Sequence, residues 1–253
     1  MSFNARNLSA DVILGLTGIV FFLLFWEIIG HYRLLGLTWP AFSDVLQYLL
    51  DSGRRQLFLR ALSASLYAMS VGYFIGLFLG ITAATLAHLS ASIKPGLDNF
   101  SAFVHAIPSI ALAPLFIVFL GRSQTPIALS CLNTFFIMYV TTTSSFAASK
   151  HEWKDLLRVV GASRWQQLTI LDLPAAIPIV SGGMRLAAPS ALIGTIIGEW
   201  FGSTRGLGVL IINAMQNFQI PLLWSAVVVT ATVSIVLFIS LGVLQAYAAK
   251  RFR

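Results

Sequence analysis

Polar positions in this chain are sparse and clustered, and the apolar stretches between the clusters are as long as a membrane is thick. A hydrocarbon core about 30 Å thick takes roughly 20 apolar residues as a helix. Runs free of Asp, Glu, Lys and Arg extend over Val12–Trp26, Ala61–Ile93, Asn99–Gly121, Ser123–Ser149 and Gly206–Ala249. The first continues past Glu27 to Gly30. The last is too long for one helix. Its opening part, with Asn213, Gln216, Asn217, Gln219 and Pro221, reads as a loop or short surface helix, leaving Leu222–Ala249 as a span. A further span, Ile177–Trp200, carries Arg185 near one end and Glu199 at the other. The pattern therefore predicts an all-α membrane protein with about six transmembrane helices.

Finer spacing adds packing expectations. Gly72, Gly76 and Gly80 fall four apart and so share a face of the second span, and Gly194 and Gly198 repeat the interval. Such stripes let backbones approach closely, within one subunit or between two. Pro108 and Pro114 each remove a helix hydrogen bond from the third span and predict a kink there. Leu37–Arg60 mixes Trp39, Phe42, Tyr48 and Phe58 with charges and predicts an interfacial amphipathic helix leading into the second span. Residues 1–60 are thus expected to form an N-terminal transmembrane helix and an external interfacial segment, and 61–253 a membrane core. Arg6 before the first apolar run resembles a secretory leader. Yet no small-x-small cleavage pattern follows and the run is nearly bilayer-length, so it is read as a membrane helix.

Composition agrees. The chain is 57% hydrophobic and 10% charged, against about 25% charged in soluble domains. One cysteine excludes a disulfide framework or a multi-cysteine metal site. A net charge of +7 is explained by basic residues retained on the cytoplasmic side of spans, without invoking nucleic acid. With both termini inside, Arg6, Lys94, Lys150, Lys154, Arg158, Arg164, Lys250, Arg251 and Arg253 are cytoplasmic. Arg33, Arg54, Arg55, Arg60, Arg122 and Arg205 are then external, a mild bias toward this orientation.

The most informative segment is His151–Pro178, HEWKDLLRVVGASRWQQLTILDLPAAIP, between the fourth and fifth spans. Glu152, Asp155 and Arg158 recur beside Trp153, Leu156, Leu157 and Val160, a short amphipathic helix. Gly161 is placed to stop it, Ser163 to cap a second helix and Pro174 to end that one. On the pattern alone this elbow is an inert surface hairpin, a membrane-surface anchor or a docking element.

Asp155-Leu156-Leu157, then three residues, Gly161, nine residues and Leu171-x-Leu173-Pro174 resembles the EAA loop of ABC-importer permeases, Glu-Ala-Ala-x3-Gly-x9-Ile-x-Leu-Pro. The spacing is kept; Asp replaces Glu, two leucines replace the alanines and Leu replaces Ile. GASRWQQ at 161–167, SGGMRLA at 181–187 and GEWFGSTRGLGVLI at 198–211 are similar to the nitrate, sulfonate and taurine branch. The likeness covers roughly residues 60–250.

The resemblance implies a MetI-like ABC permease fold in a bacterial inner (plasma) membrane, with two copies, expected to be a homodimer, forming the pathway. Loop 151–175 would dock on a cytoplasmic ATPase dimer that binds ATP and Mg, while an external binding protein delivers solute. Gly161 would set the elbow, Asp155 and Arg158 would make polar contacts, and Trp153, Leu156 and Val160 would fill the partner's groove. The implied solute is a small organic or inorganic anion of the sulfonate, taurine or nitrate class, with a pyrimidine, riboflavin or other aromatic vitamin precursor as the alternative. The sequence agrees in one respect: no G-x-x-x-x-G-K-[ST] phosphate loop occurs.

Ionisable and polar residues in the spans are pathway or gate candidates. Arg185 is read as a partner of helix carbonyls or an attractor of anions. Glu199 either latches an external gate through Arg205 or satisfies a helix end. His105 and Ser109, one turn apart on the kinked third span, and Asn133 are further candidates. Glu27 is expected to snorkel, and the Thr141–Ser145 run to bond its own helix carbonyls. No catalytic residue, metal-ligating set or cofactor of the chain's own is expected: there is no H-E-x-x-H or G-x-S-x-G, and the four histidines are dispersed. The alternative of a different class is an ion-coupled secondary transporter, which usually shows internal repeats and acids in the middle of its helices; mid-helix acids are absent here.

Overall fold

The computed structural model describes residues 5–149 and 151–251, and among them every regular element is helical. The expected cytoplasmic charges Lys150 and Arg253, and the side chain of Arg6, lie outside the described residues. In chain order the helices are α1 (Ala5–His31), α2 (Phe42–Leu50), α3 (Arg55–Leu89), α4 (Lys94–Ala106), α5 (Ser109–Leu120), α6 (Thr125–Ala147), α7 (His151–Val159), α8 (Arg164–Gln167), α9 (Leu173–Trp200), α10 (Leu207–Gln216) and α11 (Ile220–Arg251). The segments Ile13–His31, Arg55–Leu89, Thr125–Ala147, Arg164–Trp200 and Ile220–Arg251 are long and apolar enough to cross a bilayer.

The third expected span is different in kind. It is a broken pair, α4 and α5, bent by 98°. Ile107, between them, is extended at φ −81° and ψ 122°, the conformation a following proline imposes by steric clash. Pro108, with no N–H, then leads into α5. Pro114 lies inside α5, which continues through it. Counting the pair as one span gives six.

Two compact units divide the described chain. The smaller comprises Met1–Phe58 and Leu210–Val228. Within it Leu37–Arg60 is not one interfacial helix: α2 ends at Leu50, Asp51 turns extended, and α3 starts at Arg55. Trp224 stacks against Trp26 and Trp39 at 5.0 and 4.6 Å between ring centres. The indoles of Trp26 and Trp224 donate to the Pro40 and Thr38 carbonyls at 3.1 and 2.9 Å. Glu27 is engaged by α2. Its carboxylate accepts from the Ser43 backbone N–H (2.9 Å) and hydroxyl (2.7 Å), capping α2, whose own N-cap, Ala41, has no side chain able to do so.

The larger unit comprises Leu59–Val209 and Val229–Arg253, and α6 is its centre. The Gly72, Gly76 and Gly80 stripe of α3 packs on one face of α6. A Cβ at Gly72 would come within 2.5 Å of Ser130 Cβ, at Gly76 within 2.7 Å of Thr134 Cβ, and at Gly80 within 2.7 Å of Met138 Cβ. On α9, a Cβ at Gly194 would lie 2.6 Å from the Leu129 carbonyl, and one at Gly198 would lie 2.5 Å from Pro126 Cα. Both stripes therefore serve packing within this chain. Of the Thr141–Ser145 run, Thr143 and Ser145 bond helix carbonyls at 2.8 and 2.7 Å, whereas the buried Thr142 hydroxyl has no partner.

Candidate functional site

The elbow is fixed by local chemistry at both of its turns. Gly161 takes φ +77°, a left-handed conformation that costs a side-chain-bearing residue about 1–2 kcal/mol. Its N–H donates to Arg158 O at 3.0 Å, and Ala162 N–H reaches back to Leu157 O at 2.9 Å. That pair of bonds is the Schellman closure of a helix end. Two residues on, Ser163 and Gln166 form a reciprocal capping box, in which each side chain satisfies an otherwise orphaned backbone N–H.

Pro174 does not end the second helix of the elbow. From α8 the chain passes through one π-helical turn, Leu168–Asp172, into α9. Leu173 N–H bonds Leu168 O, five residues back. A proline has no N–H to give and its ring crowds the carbonyl four residues earlier. The wider π turn immediately ahead of Pro174 relieves that crowding, so the proline is absorbed into the first turn of α9. The second arm of the elbow is thus an extension of the membrane helix.

The first arm presents its apolar stripe outward. Trp153, Leu156 and Val160 are 54%, 52% and 69% exposed, and Val159, which the periodicity does not single out, is the most exposed at 85%. Asp155 and Arg158 are also exposed and pair with each other at 3.1 Å; an ion pair this solvated contributes little stability. Large apolar side chains are thus held out on a capped elbow, a patch suited to another protein or to the bilayer surface.

Beneath the elbow lies a cluster absent from the sequence reading. Asp172, in the π turn, is 1% exposed. Its Oδ2 meets His88 Nε2 of α3 at 2.8 Å, and its Oδ1 faces Lys154 Nζ of α7 at 3.5 Å without accepting a hydrogen bond. Lys154 Nζ donates instead to Phe146 O, at the end of α6, at 2.7 Å. Arg164 donates to Leu89 O at 3.1 Å, and the His88 ring lies 4.7 Å from that of Phe146. In the sequence only an acid inside an otherwise apolar stretch, TILDLP, marks the spot.

Of the membrane candidates, Ser109 and Asn133 are brought together. The Ser109 hydroxyl donates to Asn133 Oδ1 at 2.9 Å, and Asn133 Nδ2 donates to Ser190 O at 3.1 Å, joining α5, α6 and α9. His105 is not with them. It lies on α4, across the Ile107–Pro108 break, stacked on Phe136 at 3.7 Å, so the two residues do not share a helix face. Arg185 donates to Gln245 at 3.3 Å and lies over the Phe238 ring at 3.9 Å. Its buried Nε has no partner, and no carboxylate pairs with it among the described residues.

Glu199 and Arg205 do not pair. The Glu199 carboxylate, 2% exposed, accepts from the Ser65 hydroxyl at 2.7 Å and the Gly208 N–H at 2.8 Å, while Ser65 Oγ accepts from the Leu207 N–H at 2.8 Å. The acid satisfies the start of α10, the second of the two readings its position allowed. Gly206, at φ +142°, passes directly over the carboxylate, where a Cβ would overlap it. Arg205 is exposed and, with Arg122, Tyr67, Ser203 and Thr204, lines a cavity of ≈ 560 Å³ beside Glu199.

The family described as "Binding-protein-dependent transport system inner membrane component" matches residues 76–253. A "Probable ABC transporter permease protein" of Haemophilus influenzae is 30% identical over 195 residues, covering 74% of this chain and 80% of that one. "Formylaminopyrimidine transport permease protein ThiX" of Halalkalibacterium halodurans is 28% identical over 232 residues, covering 89% and 92%. Among solved structures, inward-facing conformations of the MetNI methionine ABC transporter superpose with a TM-score of 0.70 at 15% identity, over 79% of this chain and 99% of that one. The chain belongs to the binding-protein-dependent inner membrane components: it is a multi-pass permease subunit of an ABC importer, with the MetI-like fold.

Proposed function

We propose that this subunit forms the pathway for a small anion handed over by an external binding protein. A separate cytoplasmic ATPase dimer, holding ATP and Mg, drives it through the 151–175 elbow. The chain itself is non-catalytic, pairs with a second copy, and has its termini in the cytoplasm. Residues 1–60 supply an N-terminal transmembrane helix and an external interfacial segment, and 61–253 the permease core with its cytoplasmic coupling loop. The outward display of Trp153, Leu156 and Val160 on a doubly capped elbow supports docking. ATP then shifts the permease between inward- and outward-open states only in so far as the closed ATPase dimer binds one elbow arrangement better than the other.

The anion class rests on Arg185, a partly buried cation with no carboxylate partner among the described residues, and on the cavity holding Arg122 and Arg205. Relatives described as sulfonate, taurine and bicarbonate permeases agree with it. The competing class is a pyrimidine or flavin precursor, favoured by the formylaminopyrimidine relative and a riboflavin one.

The test is purification from native membranes in mild detergent. An ATPase subunit should co-purify with wild type and be sharply reduced with Gly161→Val, which cannot comfortably hold φ +77°; its absence from wild type would sink the docking assignment. Uptake of labelled taurine, bicarbonate, formylaminopyrimidine and riboflavin by the reconstituted complex then decides the class. An anion should be taken up in wild type and lost in Arg185→Gln, whereas uptake of only the pyrimidine or the flavin would reverse the assignment.

A further inference from the structure

Asp172, Lys154 and His88 lie apart from the exposed apolar stripe, yet they join the first arm of the elbow to α3, α6 and α9. Asp172 sits in the π turn that makes α8 and α9 one continuous body. Lys154 of α7 is mostly buried, its side chain 15% exposed, unlike its exposed neighbours Trp153 and Leu156. His88 ends α3 and Phe146 ends α6. Four elements therefore meet around one buried carboxylate.

The cluster is unevenly satisfied. Among the described residues Oδ2 has a short contact with His88, but Oδ1 accepts no hydrogen bond and faces the Lys154 ammonium at 3.5 Å. That ammonium is spent on the Phe146 carbonyl at 2.7 Å. A buried carboxylate oxygen without a hydrogen bond is costly, and a donor within reach offers a second arrangement in which Lys154 leaves the carbonyl and closes on Oδ1. Coupling between sites needs an element with two discrete arrangements.

We propose that Lys154 and Asp172 form the transmission joint of this permease: displacement of α7 by its docked partner shifts Lys154 between the Phe146 carbonyl and the Asp172 carboxylate, and so drives α9. This rests on the docking role proposed above. Lys154 and Asp172 are positioning residues, neither touching the ATPase nor the solute. The Gly161 turn joins the two arms at one end only, through two backbone hydrogen bonds. The second, ionic link makes α7 and α9 move as one. Its effect should be felt at the far end of α9, whose 28 residues span about 42 Å.

The experiment uses the co-purified complex in nanodiscs, with Cys131→Ser and a reporter cysteine, Thr204→Cys, in the exposed turn beyond α9. Labelling of the reporter by a polar maleimide is compared with and without ATP and vanadate. Wild type should show a nucleotide-dependent change in labelling rate. Lys154→Met and Asp172→Asn should keep the ATPase bound but shrink that change at least about fivefold, the lower end of coupling between linked sites. Lys154→Arg and Asp172→Glu, which retain the charges, should restore much of it; a purely structural role would not separate these pairs while docking persists. The joint is refuted if Lys154→Met responds like wild type, if wild type shows no response, or if the ATPase is lost from Lys154→Met and Asp172→Asn, which would make these residues part of docking. If no ATPase binds wild type, it is the docking assignment that has failed, and the joint fails with it.

Discussion

Glu199 and Arg205 show how little a residue's place in the sequence says about its partner. Six positions apart, they invite an ion pair. The chain instead folds Gly206 across the carboxylate, and the acid caps α10 through the Gly208 N–H and the Ser65 hydroxyl. Glu199→Ala leaves a buried hydroxyl and an N–H without their acceptor and should lower stability by about 1–3 kcal/mol. Glu199→Gln, which keeps one acceptor oxygen, should lose less. Arg205→Ala should leave stability unchanged. Heating the detergent-solubilised chain and measuring the monodisperse fraction by size exclusion checks all three; a loss for Arg205→Ala equal to that for Glu199→Ala would contradict the geometry.

At the scale of the element, the elbow was legible because its signals are local. A glycine at a helix end, a Ser-x-x-Gln box and an apolar stripe need only neighbours in sequence. The role of Pro174 is not legible in order, because its effect depends on the helical register before it and a π turn carries no comparable signature. The 98° break was under-read for the converse reason: Pro108 predicts a bend, but its size is set by what α4 and α5 pack against. Gly161→Val should weaken the elbow by about 1–2 kcal/mol, with Gly161→Asn milder because Asn tolerates the left-handed region. Recovery of the ATPase in pull-downs should fall in the order wild type, Asn, Val. On α3, Gly76→Leu would drive a side chain into the α6 backbone and should abolish a folded, monodisperse chain, whereas the same change at Gly96, where a Cβ meets nothing, should be tolerated.

For the whole molecule, folding and docking should be separable, because the docking stripe is exposed and the core is not. Trp153→Ala and Leu156→Ala remove side chains that stay about half exposed in the folded chain. Thermal stability should therefore stay within about 0.5 kcal/mol of wild type, while ATPase recovery drops at least about tenfold if these are the central contacts of the interface. Equal losses in both measurements would mean that the stripe packs within the chain. Joining the elbow to the membrane helices falls to residues with no motif of their own, Asp172, Lys154 and His88.

By itself the sequence determined the membrane class, the long apolar spans apart from the broken third, the Gly161 turn and the family, because hydropathy runs and spaced motifs are properties of the chain read in order. It located Arg185, Ser109, Asn133 and Glu199 as polar groups in apolar surroundings, since burial makes such groups conspicuous. Only the tertiary structure decided their partners: Glu27 with Ser43, Glu199 with Ser65 and Gly208, Asn133 with Ser109 and Ser190, Asp172 with His88 and Lys154. A buried polar group must find a donor or acceptor within about 3 Å. Which one it finds depends on the packing of helices far apart in sequence.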